Sequence, residues 1–438
     1  MADERTVNAT MDLCLRIGEM LLSSGAGAAD VTATMQSVAR HLGLRNPVID
    51  VTFTSLSMGF SGASDEPPVA LFRQVVQRDI DYEDLSRVDQ LVRDVLSDEV
   101  DLTAARATIA RISSSGHHRR RWAVTAGYGV MCAGVALMLG GNSAVMAVAA
   151  VAAMCIDRLQ LLLGRRRLPT FYLQVAGAAV ATLLAVAAAS LDVGIDPSQA
   201  ITANIIMLLS GIGFMGALQD CLSGYYVTGS ARMTEALLAT AGIIAGVSGG
   251  LAVADVAGVD IGRIDPGGAD LITVSVMALG AAICAAAFAF SAYSPKRVLA
   301  PIAVIAGAAM AVSQVIESSG LGGTWSVAMA AFFIGLVSYA VAGWVSVPPL
   351  VIVVSAIVPM LPGLSIYRGL SLLGEGGPQS AAGILAIVGA ASVAIALASG
   401  VILGEYVAQP LRREARRMER RLSGPRLVGP LRARAARR

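Results

Sequence analysis

The chain has 438 residues, of which 55% are hydrophobic and only 15% charged, with a formal net charge of +2. Soluble chains are about a quarter charged, so most of this one has no aqueous surface to decorate and its function is a membrane function. The charge is unevenly spread: residues 1–116 hold 17 acids against 10 arginines, and 11 arginines crowd into the last thirty positions.

The first residues, Met1 to Val7, are polar and acidic, without an apolar h-region or a cleavage site, so no secretory signal peptide is expected. A helix over about Ala9 to Ser23 lines up Met11, Cys14, Ile17 and Leu21, and Gly25-Ala26-Gly27 ends it. Asp30 is placed to open a second helix with Val31, Met35, Val38 and Leu42 on its apolar face, closed by Gly43. Val48 to Leu56 alternates with the period of a strand, and Val69 to Val76 reads as its partner. Two amphipathic helices follow, marked by Leu85, Val88, Val92 and Val95 and then by Leu102, Ala105, Ile109 and Ile112. Residues 1–116 therefore read as a small cytosolic α/β domain ending in a Ser113–Gly116 linker.

From Trp122 onward ten apolar stretches are each long enough to cross a hydrocarbon core, which takes about 20 helical residues. They lie near 122–140, 143–162, 170–190, 199–219, 230–252, 270–290, 297–316, 324–345, 347–365 and 381–406. Basic residues fall in every second gap: Arg158 with Arg165–Arg167, then Arg232, then Lys296 and Arg297, and finally the arginine-rich tail. Acids such as Asp192, Asp196, Asp255 and Asp260 fall in the gaps between, with Arg263 and Arg368 as the two exceptions. By the positive-inside rule both termini are cytoplasmic in a bacterial-type inner membrane. The tail from residue 409 is read as contacting anionic headgroups and not nucleic acid.

Ten spans divide as five and five, so the second half (270–408) enters the membrane in the opposite sense to the first (117–269), the layout of an inverted repeat. An internal echo accompanies this: the fourth span of each half is interrupted, by Gly211, Gly213 and Gly216 in one and by Pro359 and Pro362 in the other. Gly242, Gly246 and Gly250 recur every fourth residue, a face for close helix packing within the chain or in a homo-oligomer.

Polar groups at membrane depth are costly and mark function. Asn204 and Ser210 lie inside the fourth span, Gln219 and Asp220 at its end, and Arg232 and Glu235 open the fifth on one helical face. Asp220 competes with Glu235 for the guanidinium, and a carboxylate that changes partner suits a proton-coupled carrier. The alternative is that Asp220 and Arg232 sit in headgroup water and set topology, but the tight Gly224–Gly229 connection between them favours a functional loop. Around the ninth span, Pro359 and Pro362 free backbone carbonyls that would be unsatisfied in lipid, so this stretch with Gly363 is read as lining a solute cavity. Tyr367 and Arg368 are placed to steer an anionic solute from outside, and Tyr367 fits equally well as an interfacial aromatic anchor. Asp157, Gln174, Gln314, Glu317 and Glu405 fall near predicted ends, where snorkelling is cheap.

Five cysteines (Cys14, Cys132, Cys155, Cys221 and Cys284) lack metal-ligand spacing and read as small core residues. Three histidines, two of them the adjacent His117 and His118, make no zinc site, so no metal or cofactor is expected. The GxGxxG of Gly211–Gly216 and the GxSxG of Gly246–Gly250 sit inside apolar spans, without the strand, turn and helix those motifs require. With no P-loop, a secondary carrier is the default.

Taken in order, Gly18–Ala26, Asp50–Thr54, the Gln219-Asp220, Gly224, Ala231-Arg232, Glu235-Ala236 stretch and Pro359–Gly363 resemble the threonine/serine exporter family over nearly the whole chain. The resemblance implies proton-driven export of small hydroxy amino acids by a cytosolic domain joined to ten spans. Split two-subunit relatives implicate dicarboxylates, so a succinate-like substrate is the alternative. Asp30 and Thr32 stand where some members carry Arg and Glu, which weakens any catalytic role for the N-terminal domain. A membrane-tethered hydrolase using that domain and a passive channel are the other classes considered; Cys14 and His41 form no nucleophile–base set by motif.

Overall fold

The computed structural model describes residues 4–62, 68–75, 80–117, 119–190, 195, 197–208, 211–256, 271–362, 365–366, 368–369, 372–373 and 380–422. The N-terminal layer holds four helices, α1 (Glu4–Ser23), α2 (Ala28–His41), α3 (Tyr82–Leu96) and α4 (Leu102–Ser114), around an antiparallel sheet of β1 (Val48–Val51), β2 (Ser55–Phe60) and β3 (Val69–Gln74). Helix α1 buries the expected stripe but starts five residues earlier than the sequence indicates, because Val7 is also buried and Glu4 suits the positive end of the helix. The stretch read as one strand, Val48 to Leu56, is instead the first hairpin. Thr52 Oγ1 lies 2.8 Å from Ser55 Oγ and 3.1 Å from the Ser55 carbonyl, a local side-chain bond that offers the backbone a turn in place of a ladder. The sheet runs in the order β1-β2-β3, so β3 pairs with β2 alone. Asp81 and Asp101 cap α3 and α4.

The rest of the described chain is helical: α5 (Arg121–Met138), α6 (Ser143–Arg165), α7 (Thr170–Ala189), α8 (Pro197–Leu208), α9 (Gly211–Leu222), α10 (Tyr226–Val256), α11 (Leu271–Ser291), α12 (Leu299–Ser318), α13 (Gly323–Val345), α14 (Pro349–Ile357) and α15 (Ser380–Leu422). Among the described residues seven helices are long and apolar enough to cross a bilayer, and eight if α8 and α9, bent by 44° to one another, count as one. This is a polytopic helical membrane protein. Two of the ten expected spans fall outside that measure. Helix α5 opens on Arg121 and is rich in small and aromatic residues. Helix α14 is short and runs into a 3₁₀ turn, Val358–Met360, that ends at Leu361 before Pro362.

Glycines decide which helices touch. On α10, a Cβ added at Gly242 would lie 2.6 Å from the Phe171 carbonyl and one at Gly250 2.7 Å from Thr182 Cβ, while one at Gly246 would meet the Val175 carbonyl, so α10 lies backbone to backbone on α7. The stripe is used inside the chain. The same device joins α15 to α13, where Gly400 and Gly404 face the carbonyls of Ala328 and Phe332 and Gly335 faces Val401. Helices α5 and α11 cross at Gly134 and Gly280.

Substituting Gly246 by Val is expected to destabilise the protein by about 1–3 kcal/mol or more, as overpacking does, with a lowered thermal midpoint in detergent. Gly249→Ala, whose new Cβ meets nothing within 4 Å, is expected to leave the midpoint unchanged.

Candidate functional site: a cavity beneath the N-terminal layer

Helix α9 carries Gln219 and Asp220 in its last turn, and after Leu222 the chain turns back through Gly224 at φ +91°, a left-handed conformation that glycine adopts without strain. Helix α10 starts at once, at Tyr226, so the connection is a tight turn and its next two helical turns carry Thr228, Arg232 and Glu235. Asp220 and Arg232 are only 1% and 9% exposed. They are not in headgroup water; the N-terminal layer covers them. Arg232 Nη1 lies 2.8 Å from Asp220 Oδ2, which has no hydrogen-bond partner of good geometry.

The other atoms of this pair hold the N-terminal layer. The Ala28 N–H donates to Asp220 Oδ1 at 2.9 Å, and Arg232 Nη2 donates to the Ala26 carbonyl at 3.1 Å. The first N–H groups of a helix lack internal partners and carry a partial positive charge. A Ser, Asp or Asn at the N-cap ordinarily satisfies one of them, but the N-cap of α2 is Gly27, which has no side chain to do so. Asp220 supplies that cap from 192 residues away. Thr228 Oγ1 donates to the Val51 carbonyl at 3.1 Å, and the Tyr82 N–H to that of Ala292 at 3.0 Å. The Tyr82 ring meets Phe288 edge-on with centroids 6.4 Å apart. Burial pushes the Tyr82 hydroxyl up, against a smaller pull down from Ser355. Nearer the linker, His117 stacks on Tyr293, and Arg119 lies over Phe290 and donates to the Ser294 carbonyl at 2.8 Å.

Between the layer and the helices lies a cavity of about 340 Å³. Ser23, Gly25, Gly27 and Phe53 of the N-terminal layer form one wall; Tyr128 and Met131 of α5, Phe288 of α11, Val354 of α14, Val358 and Leu361 belong to the apolar remainder, with Ile206, Met207, Ile212 and Met215 of α8 and α9. Gln219, Arg232 and Glu235 supply its polar side chains on the membrane side.

Of the residues singled out from sequence, Gln219, Arg232 and Glu235 line this cavity, with Asp220 buried behind Arg232. Pro359 lies in the 3₁₀ turn whose neighbours Val358 and Leu361 are on the wall, and Leu361 takes up the Val358 carbonyl at 3.4 Å. Pro362 is buried beside it and Arg368 is exposed. Asn204 is fully buried; its amide donates to the Ala200 carbonyl at 2.9 Å while Oδ1 is unpartnered, and its neighbours Ile206 and Met207 reach the cavity in its place. Ser210, Gly363 and Tyr367 lie outside the described residues. Asp157, read as snorkelling at a helix end, is 5% exposed and takes hydrogen bonds from Arg121 at 2.5 Å and Thr125 at 2.6 Å. The contribution of Gly27 and Phe53 was not visible as such; the Gly25-Ala26-Gly27 signal read only as a helix stop. Burial lifts the Cys14 thiol to about 12, an inert core thiol, and His41 pairs instead with Asp98 at 2.9 Å.

A multi-pass helical bundle that buries an ion pair beside a small, largely apolar chamber has the construction of a membrane transporter, not of an enzyme. Residues 12–254 match the ThrE family model for threonine/serine exporters, and residues 277–407 match a second, described as "Threonine/Serine exporter, ThrE". The chain belongs to the threonine/serine exporter family. It is 35% identical to the "Probable threonine/serine exporter" of Mycobacterium tuberculosis (strain ATCC 25618 / H37Rv), over 97% of this chain and 81% of that protein. It is 32% identical to the "Threonine/serine exporter" of Corynebacterium glutamicum, over 95% of this chain and 86% of that one. No solved structure matches the chain.

Arg232→Ala strands the Asp220 carboxylate. Breaking a buried pair on one side costs about 3–5 kcal/mol, so faster amide exchange is expected across residues 25–31, partly restored in the Arg232→Ala/Asp220→Ala double variant. Although the Asp30 residue is exposed, the protein crowding around its carboxyl, and then the nearby Asp220 charge, raise its pKa. A raised carboxyl holds its proton better folded than unfolded, so its ionisation destabilises; stability is fullest below the unfolded value of about 3.9 and is lost as pH rises through the folded one. Asp30→Asn is expected to raise the thermal midpoint at pH 7, with the gap from wild type closing as pH falls through the raised folded value and gone by about pH 4.

Proposed function

We propose that this protein is a bacterial inner-membrane exporter of threonine, serine or a similar small zwitterion, working as a secondary carrier coupled to protons. Family membership supplies the amino acid class. The observation that carries the finer reading is the placing of opposite charges, Arg232 and Glu235, on the wall of one chamber of about 340 Å³. That volume is at the small end of ligand sites. A zwitterion offers a carboxylate to the arginine and an ammonium to the glutamate, and Gln219 gives a hydroxyl a partner. A dicarboxylate meets Glu235 with like charge, so the succinate-like alternative fits this wall less well.

Asp220 is the residue for proton coupling, since its carboxylate must exchange partners if Arg232 is to engage solute. Asn204, Pro359 and Pro362 are assigned to the two interrupted fourth elements that flank the chamber. Three features support two related halves of five spans each. The third and fifth helices pair through glycines in both, α7 with α10 and α13 with α15; the fourth element is broken in both; and the two first helices, α5 and α11, cross each other. The N-terminal layer docks at the α9–α10 and α11–α12 turns. Those are gaps that carry Arg232, Lys296 and Arg297, which supports a cytoplasmic layer and cytoplasmic termini. The basic tail then meets anionic lipid. The glycine stripe of α10 is occupied by α7, which removes that argument for a homo-oligomer.

Counterflow of labelled threonine, serine and succinate in one liposome preparation tests the reading: the amino acids are expected to exchange and succinate to fail, and the reverse order would overturn it. Asp220→Asn is expected to abolish accumulation driven by an imposed pH difference while membrane insertion persists. Unchanged pH dependence would remove Asp220 from the mechanism, and flux that never accumulates against a gradient would mark a channel.

A further inference from the structure

The seat that Asp220 occupies is built for a carboxylate in general. One oxygen takes the first free N–H of the fourteen-residue helix α2 and the other faces the Arg232 guanidinium, a helix N-terminus and an arginine converging on one anion. Two further observations point to a ligand. Asp220 is 1% exposed and its Oδ2 lacks a hydrogen bond of good geometry, so the present occupant fills the seat imperfectly. The seat also opens on the chamber, because Gly27 and Arg232 both line it and a Cβ at Gly27 would stand 3.4 Å from Asp220 Oδ1.

We infer that Asp220 is an internal stand-in for the carboxylate of the transported solute, and that the first turn of α2 in the N-terminal layer is part of the substrate site. When Asp220 lets go, the Ala28 N–H and Arg232 take the α-carboxylate of the amino acid while Glu235 faces its ammonium. The N-terminal layer thereby contributes a recognition group and not cover alone. The inference rests on the zwitterion reading above and adds to it a named backbone donor. It also explains why the N-cap of α2 is a glycine. A Ser, Thr, Asn or Asp at position 27 would cap the helix from within and close the seat to any incoming anion.

Ala28→Pro tests this. Proline is tolerated at the first helical position, where it removes one N–H and keeps the required φ. In liposomes holding the full chain with Asp220→Ala, so that no internal carboxylate competes for the same N–H, adding Ala28→Pro is expected to raise the half-saturation concentration for threonine counterflow about tenfold, the loss of one hydrogen bond to a charged group, with the maximal rate within about twofold. Inhibition by threoninol, which has no carboxylate, is expected to stay as in wild type. A folded double variant with unchanged half-saturation, or one that loses threonine and threoninol alike, overturns the inference. Should that variant fail to fold, Asp220→Ala decides. Vacating the seat is expected to tighten threonine binding to the detergent-purified protein at least about threefold and leave threoninol unaffected, whereas unchanged or weaker threonine binding overturns it. If wild type discriminates threonine from threoninol but the double variant does so equally well, the seat alone fails. If wild type gives no threonine counterflow, the amino acid reading fails first and the seat with it.

Discussion

One buried ion pair ties this molecule together. Asp220 and Arg232 sit on opposite sides of a single tight turn, and each makes a further hydrogen bond to the α1–α2 corner of a layer some 200 residues earlier in the chain. The desolvation penalty for two charges in protein is several kcal/mol each and is offset only by good geometry and extra hydrogen bonds. Here those extra bonds come from backbone, one donor and one acceptor, so the pair and the docked layer stabilise each other. Removing the layer would leave both charges short of partners; removing the pair would leave the start of α2 without a cap.

The same arrangement gives the chamber its character. Apolar side chains from α5, α8, α9, α11 and α14 form most of the apolar wall, and the polar groups are gathered where α9, α10 and the layer meet. In such surroundings a few charges act strongly, because little water screens them. A site of this kind selects by charge arrangement and by size together, which is the requirement for handling a small polar solute within a bundle of apolar helices.

Much of this was legible from the residues alone, for identifiable reasons. Charge at membrane depth is so costly that Asp220, Arg232 and Glu235 announced themselves, and hydropathy marked the helices that carry them. The N-terminal helices followed from their apolar stripes. What the linear chain hid depends on distance. No local signal says that Asp220 caps a helix whose own N-cap is Gly27, that Asp157 turns inward to Arg121 and Thr125, or that Phe53 reaches the membrane chamber. The hairpin at Thr52–Ser55 was missed for a different reason: alternation over Val48–Leu56 outweighed the turn-forming hydroxyls within it. The glycine seams of α7 with α10 and α13 with α15 were hidden by distance as well, being contacts between helices far apart in sequence.

The glycine contacts limit how such a machine can move. Where α10 lies on α7 and α15 on α13, main chain rests directly against main chain, and sliding one past the other would drive neighbouring side chains into carbonyls. Each pair therefore behaves as a stiff two-helix strut. The interrupted elements, α8 with α9 and α14 with its 3₁₀ turn, each contain a joint, and α9 meets main chain beyond its joint, where Gly229 of α10 rests on Ala217 and Cys221. Both interrupted elements border the chamber, through Ile206 and Ile212 on one side and Leu350 and Val354 on the other, so the chain's built-in bends lie beside the solute-sized space and its rigid seams away from it.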